Sequence, residues 1–212
     1  MRIKETKVYK FSELSPEAKE RAREWYREGA LDYDWWDAVY EQVVASGEAL
    51  GIRFKQRTIN GRSRTEPCIW FSGFCSQGDG ACFEGTYAYL AGWRKKLKEY
   101  WGKTTVPADL LEIGETLQAV QKAAQWSLTA DVVHAGRYSH ENSVSITVRS
   151  ECNIQAFDEG RKGVEEALRD FCRWIYKRLE QEHDWLTADE QVDESIEANE
   201  YEFTENGRIA DL

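Results

Sequence analysis

The chain has 212 residues, 42% apolar and 13% aromatic, with a formal charge of −10. That length sets the expectation of one compact domain, or one with a small appendage, with enough apolar material for a sizeable core. No run approaches the roughly 18 apolar residues of a membrane span, and Met1-Arg2-Ile3-Lys4-Glu5 has no apolar signal core, so a cytoplasmic protein is expected.

The charge is uneven. Glu180 to Glu205 holds eleven Asp or Glu and no Lys or Arg, which leaves 27 acids against 28 bases elsewhere. The acidity therefore belongs to one segment. Nine Trp point to large buried rings or an aromatic binding surface. Five cysteines, at 68, 75, 82, 152 and 172, cannot all pair within one chain and form no Cys-x-x-Cys. Free thiols, no metal site and no cofactor are expected.

In chain order, Ile3 to Phe11 alternates like a first strand. Ser15-Pro16 opens a helix, with Ser as N-cap and Pro at the first helical position. Ala18, Ala22, Trp25 and Tyr26 form its apolar face and Gly29 ends it. A second helix is expected over Asp32–Leu50, closed by Gly51. Ile52 and Phe54 then alternate with Arg53, Lys55 and Arg57 in a strand with one basic face. Asn60-Gly61 is a turn.

The centre of the chain reads as a hairpin. Apolar runs from Cys68 to Phe74 and from Ala81 to Tyr89 flank Ser76-Gln77-Gly78-Asp79-Gly80, where glycine is expected to supply a positive φ. Tyr89 to Tyr100 reads as a basic helix with Arg94, Lys95, Lys96 and Lys98. Pro107 opens another helix, to about Trp126. Leu128–His134 and Val144–Arg149 form a second hairpin. A long helix follows over Glu159–Asp184. Thr187-Ala188-Asp189-Glu190 has the pattern of a capping box before a short acidic helix. Tyr201-Glu202-Phe203 reads as a last strand and Asn206-Gly207 as a turn before a loose end.

Hairpins mixed with helices define an α+β fold: an antiparallel sheet built from hairpins, with helices packed on one face. Residues 1–184 are expected as the core. Residues 185–212 are expected as an acidic helix and tail, inside the same unit or as a small appendage.

No catalytic residue emerges. The Gly-rich turn lacks the P-loop lysine and leads into no helix. Gln77, Asp79 and Glu84 are the candidate small-ligand groups, although an aspartate in a tight turn usually bonds its own backbone. His134 and His140 flank the second hairpin loop, and sequence alone does not join them to Cys75. Of the adjacent Trp35 and Trp36, about 100° apart on a helix, one enters the core. Trp35, if exposed, is a candidate partner contact. Carboxylates ordered on a helix meet a basic partner and speed its association, which makes Asp189, Glu190, Asp193, Glu194 and Glu197 candidate partner contacts.

One resemblance bears on this. Val8-Tyr9-Lys10-Phe11-Ser12-Glu13-Leu14-Ser15-Pro16-Glu17-Ala18-Lys19, then Ala22-Arg23-Glu24-Trp25-Tyr26, Asp34-Trp35-Trp36, Phe71-Ser72-Gly73-Phe74 and Gln77-Gly78-Asp79-Gly80-Ala81-Cys82-Phe83 form the pattern. Together they resemble a family of bacteriophage and prophage proteins labelled "antitoxin of toxin–antitoxin stability system". The resemblance covers roughly the first 90 residues. It implies a phage-encoded accessory protein in the bacterial host cytoplasm and brings no catalytic residues with it.

The leading expectation is a non-enzymatic interaction protein that binds a host protein with a basic surface, such as a defence component or toxin. The alternatives are an enzyme or small-ligand protein using the central hairpin, and a nucleic-acid binder using Arg53, Lys55, Arg57 and Arg94–Lys98. The pI near 5 disfavours the last. The acidic segment has two possible counterparts, a partner or the protein's own basic patches. The sequence does not set the oligomeric state.

Overall fold

The computed structural model describes residues 7–58, 65–102, 104–150 and 157–210. Ile3, the Asn60-Gly61 turn and Cys152 lie outside them. The chain divides into two compact units, Asp37–Glu180 and Met1–Trp36 with Gln181–Leu212. The boundaries differ from the expected 184/185 for a physical reason. Strand β1 (Tyr9–Lys10) pairs antiparallel with β10 (Glu202–Phe203), so the two ends of the chain build one unit.

The larger unit begins with α2 (Asp37–Leu50), which follows α1 (Pro16–Gly29) of the smaller unit. Then come β2 (Ile52–Phe54), β3 (Gln56–Thr58), β4 (Thr65–Pro67), β5 (Ile69–Phe71), β6 (Ala81–Phe83) and β7 (Gly85–Ala88). Helices α3 (Trp93–Trp101) and α4 (Ala108–Ala123) lead to β8 (Leu128–His134), β9 (Val144–Ser150) and α5 (Phe157–Thr187), whose last residues enter the smaller unit. The fold is α+β with antiparallel sheets. Helix α2 starts five residues after the expected Asp32, and Gly51 stops it at φ 88°. A Cβ on Gly51 would lie 2.0 Å from the Ala88 carbonyl oxygen, so helix stop and strand start both need glycine.

The main sheet has the order β2-β7-β8-β9. Ile52, Tyr87, Ala130 and Val148 are in register across it and all are buried. The next row, Arg53, Thr86, Asp131 and Thr147, faces the other way, and an Asp131–Arg149 ion pair joins β8 to β9. Period-two alternation therefore sends one face to helices and one to water. Phe54 and Phe83 meet Phe171 of α5 at ring distances of 6.2 and 5.7 Å. Gln121 of α4 is fully buried; its side-chain nitrogen donates to the Leu128 carbonyl at 2.6 Å and its oxygen accepts from Leu128 N–H at 3.2 Å. That bracket satisfies the first residue of β8 where its pairing with β7 has stopped at Thr129.

Three strands exchange partners at one point. Lys55 N–H donates to Glu84 O (2.9 Å), Glu84 N–H to Cys68 O (2.9 Å), and Cys68 N–H to Lys55 O (2.7 Å), a closed ring of backbone bonds. On one side β2 pairs with β7; on the others β3 pairs with β4 and β5 with β6.

The central hairpin forms with Ile69 opposite Phe83, but its turn works differently from expectation. Neither Gly78 nor Gly80 has a positive φ. Gly80 is needed because it is buried against His140: an added Cβ would lie 3.0 Å from the His140 Cα. Asp79 closes the turn, its carboxylate accepting from Cys75 N–H (3.0 Å) and Ser76 N–H (2.6 Å).

Candidate interaction surface

The smaller unit is built from α1, α6 (Asp189–Ala198) and the β1–β10 ladder. Ser15 caps α1, its hydroxyl oxygen accepting from Ala18 N–H at 3.3 Å. Phe11, in a short 3₁₀ turn where the first strand was expected to continue, joins Leu14, Ala18, Ala22, Val192, Ile196 and Phe203 in the core. Thr187 is not the N-cap of α6. It ends α5, its hydroxyl donating back to the His183 carbonyl at 2.8 Å, and Ala188 takes the cap position. A threonine in a helix's last turn has that carbonyl within reach, which competes with capping the next helix. The end expected to be loose is tied to β10 through Ala210, whose N–H donates to Glu202 O at 2.9 Å.

Packing Val192 and Ile196 inward splits the carboxylates of α6 into two sets. Asp189 and Asp193, one turn apart, face α1. Arg23 holds Asp193 through two bonds of 2.7 Å, a fork-to-fork pair, and reaches Asp189 at 3.3 Å. Arg27 pairs with Asp189 and donates to Thr187 O at 3.0 Å. The hydrogen bond to Asp193 raises the Arg23 pKa above its already high ordinary value. Glu190, Glu194 and Glu197 occupy the spacing of a second helix face; with Glu200 they are exposed and make no ion pair among the described residues. The internal counterpart of the acidic segment is thus a pair of α1 arginines, which serve two of the five candidate acids.

Beside this face lies a groove of about 540 Å³ lined by Trp25, Tyr26, Glu28, Gly29, Ala30, Tyr33 and Tyr201. Trp25 meets Tyr201 edge-on at 5.2 Å and Phe203 at 5.7 Å, while Tyr26 and Tyr201 are 6.3 Å apart. Tyr33 is 56% exposed. Tyr201 also lines a second, smaller cleft with Lys10, Phe11, Glu197 and Glu200, which joins the aromatic groove to the acidic face. Aromatic faces and carboxylates both attract cations.

The sequence pointed elsewhere for its aromatic contact. Trp35 precedes α2 and is only 8% exposed, with ring contacts to Trp36 at 5.8 Å and His183 at 6.0 Å, so it offers no exposed aromatic contact. Trp25 and Tyr26 were assigned to a buried face, and nothing local ties them to Tyr201 at the opposite end of the chain. The one usable signal was a Trp-Tyr pair just before a helix-ending glycine.

In the larger unit the hairpin groups are taken up structurally. Asp79 serves its turn. Glu84 accepts from Lys55 Nζ at 2.7 Å and from His134 N–H at 3.3 Å. Gln77 is exposed, and no hydrogen bond joins any two of the three among the described residues. The basic patches are paired in part: Lys55 with Glu84, Arg57 with Glu66 (3.4 Å), Arg94 with Glu115 (2.5 Å) and Lys95 with Glu99 (3.6 Å), while Arg53, Lys96 and Lys98 make no ion pair among the described residues. Cys68, Cys75, Cys82 and Cys172 carry free thiols. Burial pushes the Cys82 thiol up to about 12 and raises those of Cys172 and Cys68, so all three stay protonated near neutral pH. Among the described residues no group of three His, Cys, Asp or Glu is placed to hold a metal ion, and no helix is long and apolar enough to cross a membrane.

The fold and surface define an α+β protein of two units, one electrically neutral overall and one acidic. Residues 35–189 match the model of a domain of unknown function, DUF8835, and the chain belongs to that family. The comparisons with curated proteins and with solved structures return no match. The matched span contains the whole larger unit, while α1, β1, β10 and nearly all of α6 fall outside it.

Proposed function

We propose that the protein is a non-enzymatic interaction factor whose acidic smaller unit binds the basic surface of a partner protein. One observation carries this reading. The smaller unit holds nineteen acids and nine bases, whereas the larger holds nineteen of each, so the whole charge of −10 sits in the smaller unit. A field of one sign speeds the approach of a basic partner. Glu190, Glu194, Glu197 and Glu200 stand ready to supply the contacts, since α1 neutralises only Asp189 and Asp193. The bacterial host cytoplasm as the setting, and a phage origin with a host defence protein or toxin as the target, belong to this proposal through the sequence resemblance alone.

The test uses a labelled peptide of mixed lysine and arginine. Its association with the full chain, followed by stopped flow at two salt concentrations, should be fast and salt-sensitive. The triple variant Glu190→Gln/Glu194→Gln/Glu197→Gln should slow it and flatten the salt dependence with the melting temperature unchanged or slightly higher. Equal rates for wild type and variant would remove the acidic face from the account.

A further inference from the structure

The aromatic groove deepens that reading, on which the following rests. We infer that the groove of Trp25, Tyr26, Tyr33 and Tyr201 receives the guanidinium of an arginine side chain from the basic partner, with Glu28 as its counter-ion.

Three features favour this occupant. The first is shape. Trp25 and Glu28 are three residues apart on α1, so ring and carboxylate are neighbours on one helix surface. Tyr201 stands edge-on to Trp25, with an interplanar angle of 84°, so the groove has walls in two orientations. A flat cation can lie on one ring with its rim toward another. The second is charge. The groove contains a carboxylate and no basic side chain, and it shares Tyr201 with a cleft where Glu197 and Glu200 outnumber Lys10. A neutral apolar side chain would gain nothing from that field. The third is the chemistry of the two basic side chains. Guanidinium is planar and weakly hydrated, stacks on aromatic faces, and offers a carboxylate two parallel N–H groups. The lysine ammonium is a compact, strongly hydrated point charge that gives up more water to enter such a groove.

Gly29 supplies a clean probe. It lines the groove as the last residue of α1, and a Cβ there would meet nothing within 4 Å. Gly29→Leu therefore places bulk in the groove while leaving core, ion pairs and net charge untouched. Tyr33→Phe keeps the exposed ring and Tyr33→Ala removes it.

The experiment compares two peptides of equal length and charge, one with arginine and one with lysine at every basic position, by calorimetry with the full chain. Wild type should bind the arginine peptide about five- to tenfold more tightly, the range of a partly desolvated cation–π contact. Gly29→Leu and Tyr33→Ala should bring the arginine peptide to the lysine level, with lysine affinity and salt dependence unchanged. Tyr33→Phe should retain the preference. If wild type binds both peptides equally with strong salt dependence, the arginine assignment is overturned and the acidic-face reading survives. If the preference exists but Gly29→Leu leaves it intact, the groove is not its source. If neither peptide binds, both readings fall.

Discussion

The two units solve opposite electrostatic problems. In the larger one, acids and bases are equal in number and many are placed together: Lys55 with Glu84, Arg57 with Glu66, Lys177 with Asp109 at 2.8 Å. Its interior is a conventional apolar layer between sheet and helices. The smaller unit has the same number of acids and fewer than half the bases. It spends two of those bases, Arg23 and Arg27, on holding α6 to α1 and leaves an outward row of glutamates unanswered. Uncompensated like charges oppose compactness. The contrast separates a scaffold, which the family model spans completely, from a surface that lies mostly outside that span.

The sharpest way to break this comparison is to damage each core in turn. Phe83→Ala should cost the larger unit about 3–5 kcal/mol, since the ring is fully buried against Phe54 and Phe171. Phe203→Ala should be as severe locally. Hydrogen exchange should then show lost protection in α1 and α6 with β8 and β9 still protected. Uniform loss across the chain would show that the two units melt as one.

Alkali should act on the larger unit next. Burial pushes Cys82, ordinarily near 9.0, and Tyr87, ordinarily near 10.0, up to about 12. Native chain keeps protons that the unfolded chain releases. The stabilisation is therefore complete below pH 9 and is lost as pH rises toward about 12. Urea melts monitored by near-ultraviolet dichroism should show a midpoint that falls through that window. A midpoint that stays flat to pH 11 would contradict the burial of these groups.

Gly80→Val should cost about 1–3 kcal/mol by forcing a branched side chain against the backbone of His140. Asp79→Ala should be milder, because the N–H groups it frees belong to the exposed Cys75 and Ser76 and can bond water. A larger loss for Asp79→Ala would invert this account of the hairpin.

The smallest effect separates the two carboxylate sets of α6. Arg23→Ala should lower stability by about 1–2 kcal/mol, since it strands Asp193 at a partly buried position. Neutralising Glu190, Glu194 and Glu197 should stay within about 0.5 kcal/mol of wild type. If the two changes destabilise equally, α6 has no free face.

Much of the fold was legible because its signals are local. Ser15-Pro16 marked the start of α1, Gly51 the end of α2, and the alternation from Val144 to Arg149 a half-buried strand. The errors lie where a local signal met a competing one. Thr187 found a carbonyl in its own helix before it could cap the next. Gly80 was read for backbone freedom, but what matters is the proximity of His140, sixty residues away in the chain. The candidate surface was half legible. The acid run stood out as composition, yet its division into clamped and free residues depends on how Val192 and Ile196 pack. The groove was invisible because it closes only when Tyr201 comes back beside Trp25.

The ring of backbone bonds among Lys55, Cys68 and Glu84 has a consequence for folding order. Two of its bonds join residues 13 and 16 positions apart, and the third joins residues 29 apart. Loop-closure entropy grows with the length enclosed. Once the two shorter closures exist, Lys55 and Glu84 are already neighbours, and the longest loop closes at almost no further entropic cost. The β2–β7 pair of the main sheet, which meets that closure at Phe54 and Gly85, therefore inherits its register from two local hairpins. A topology with distant partners gains the assembly speed of one with near ones.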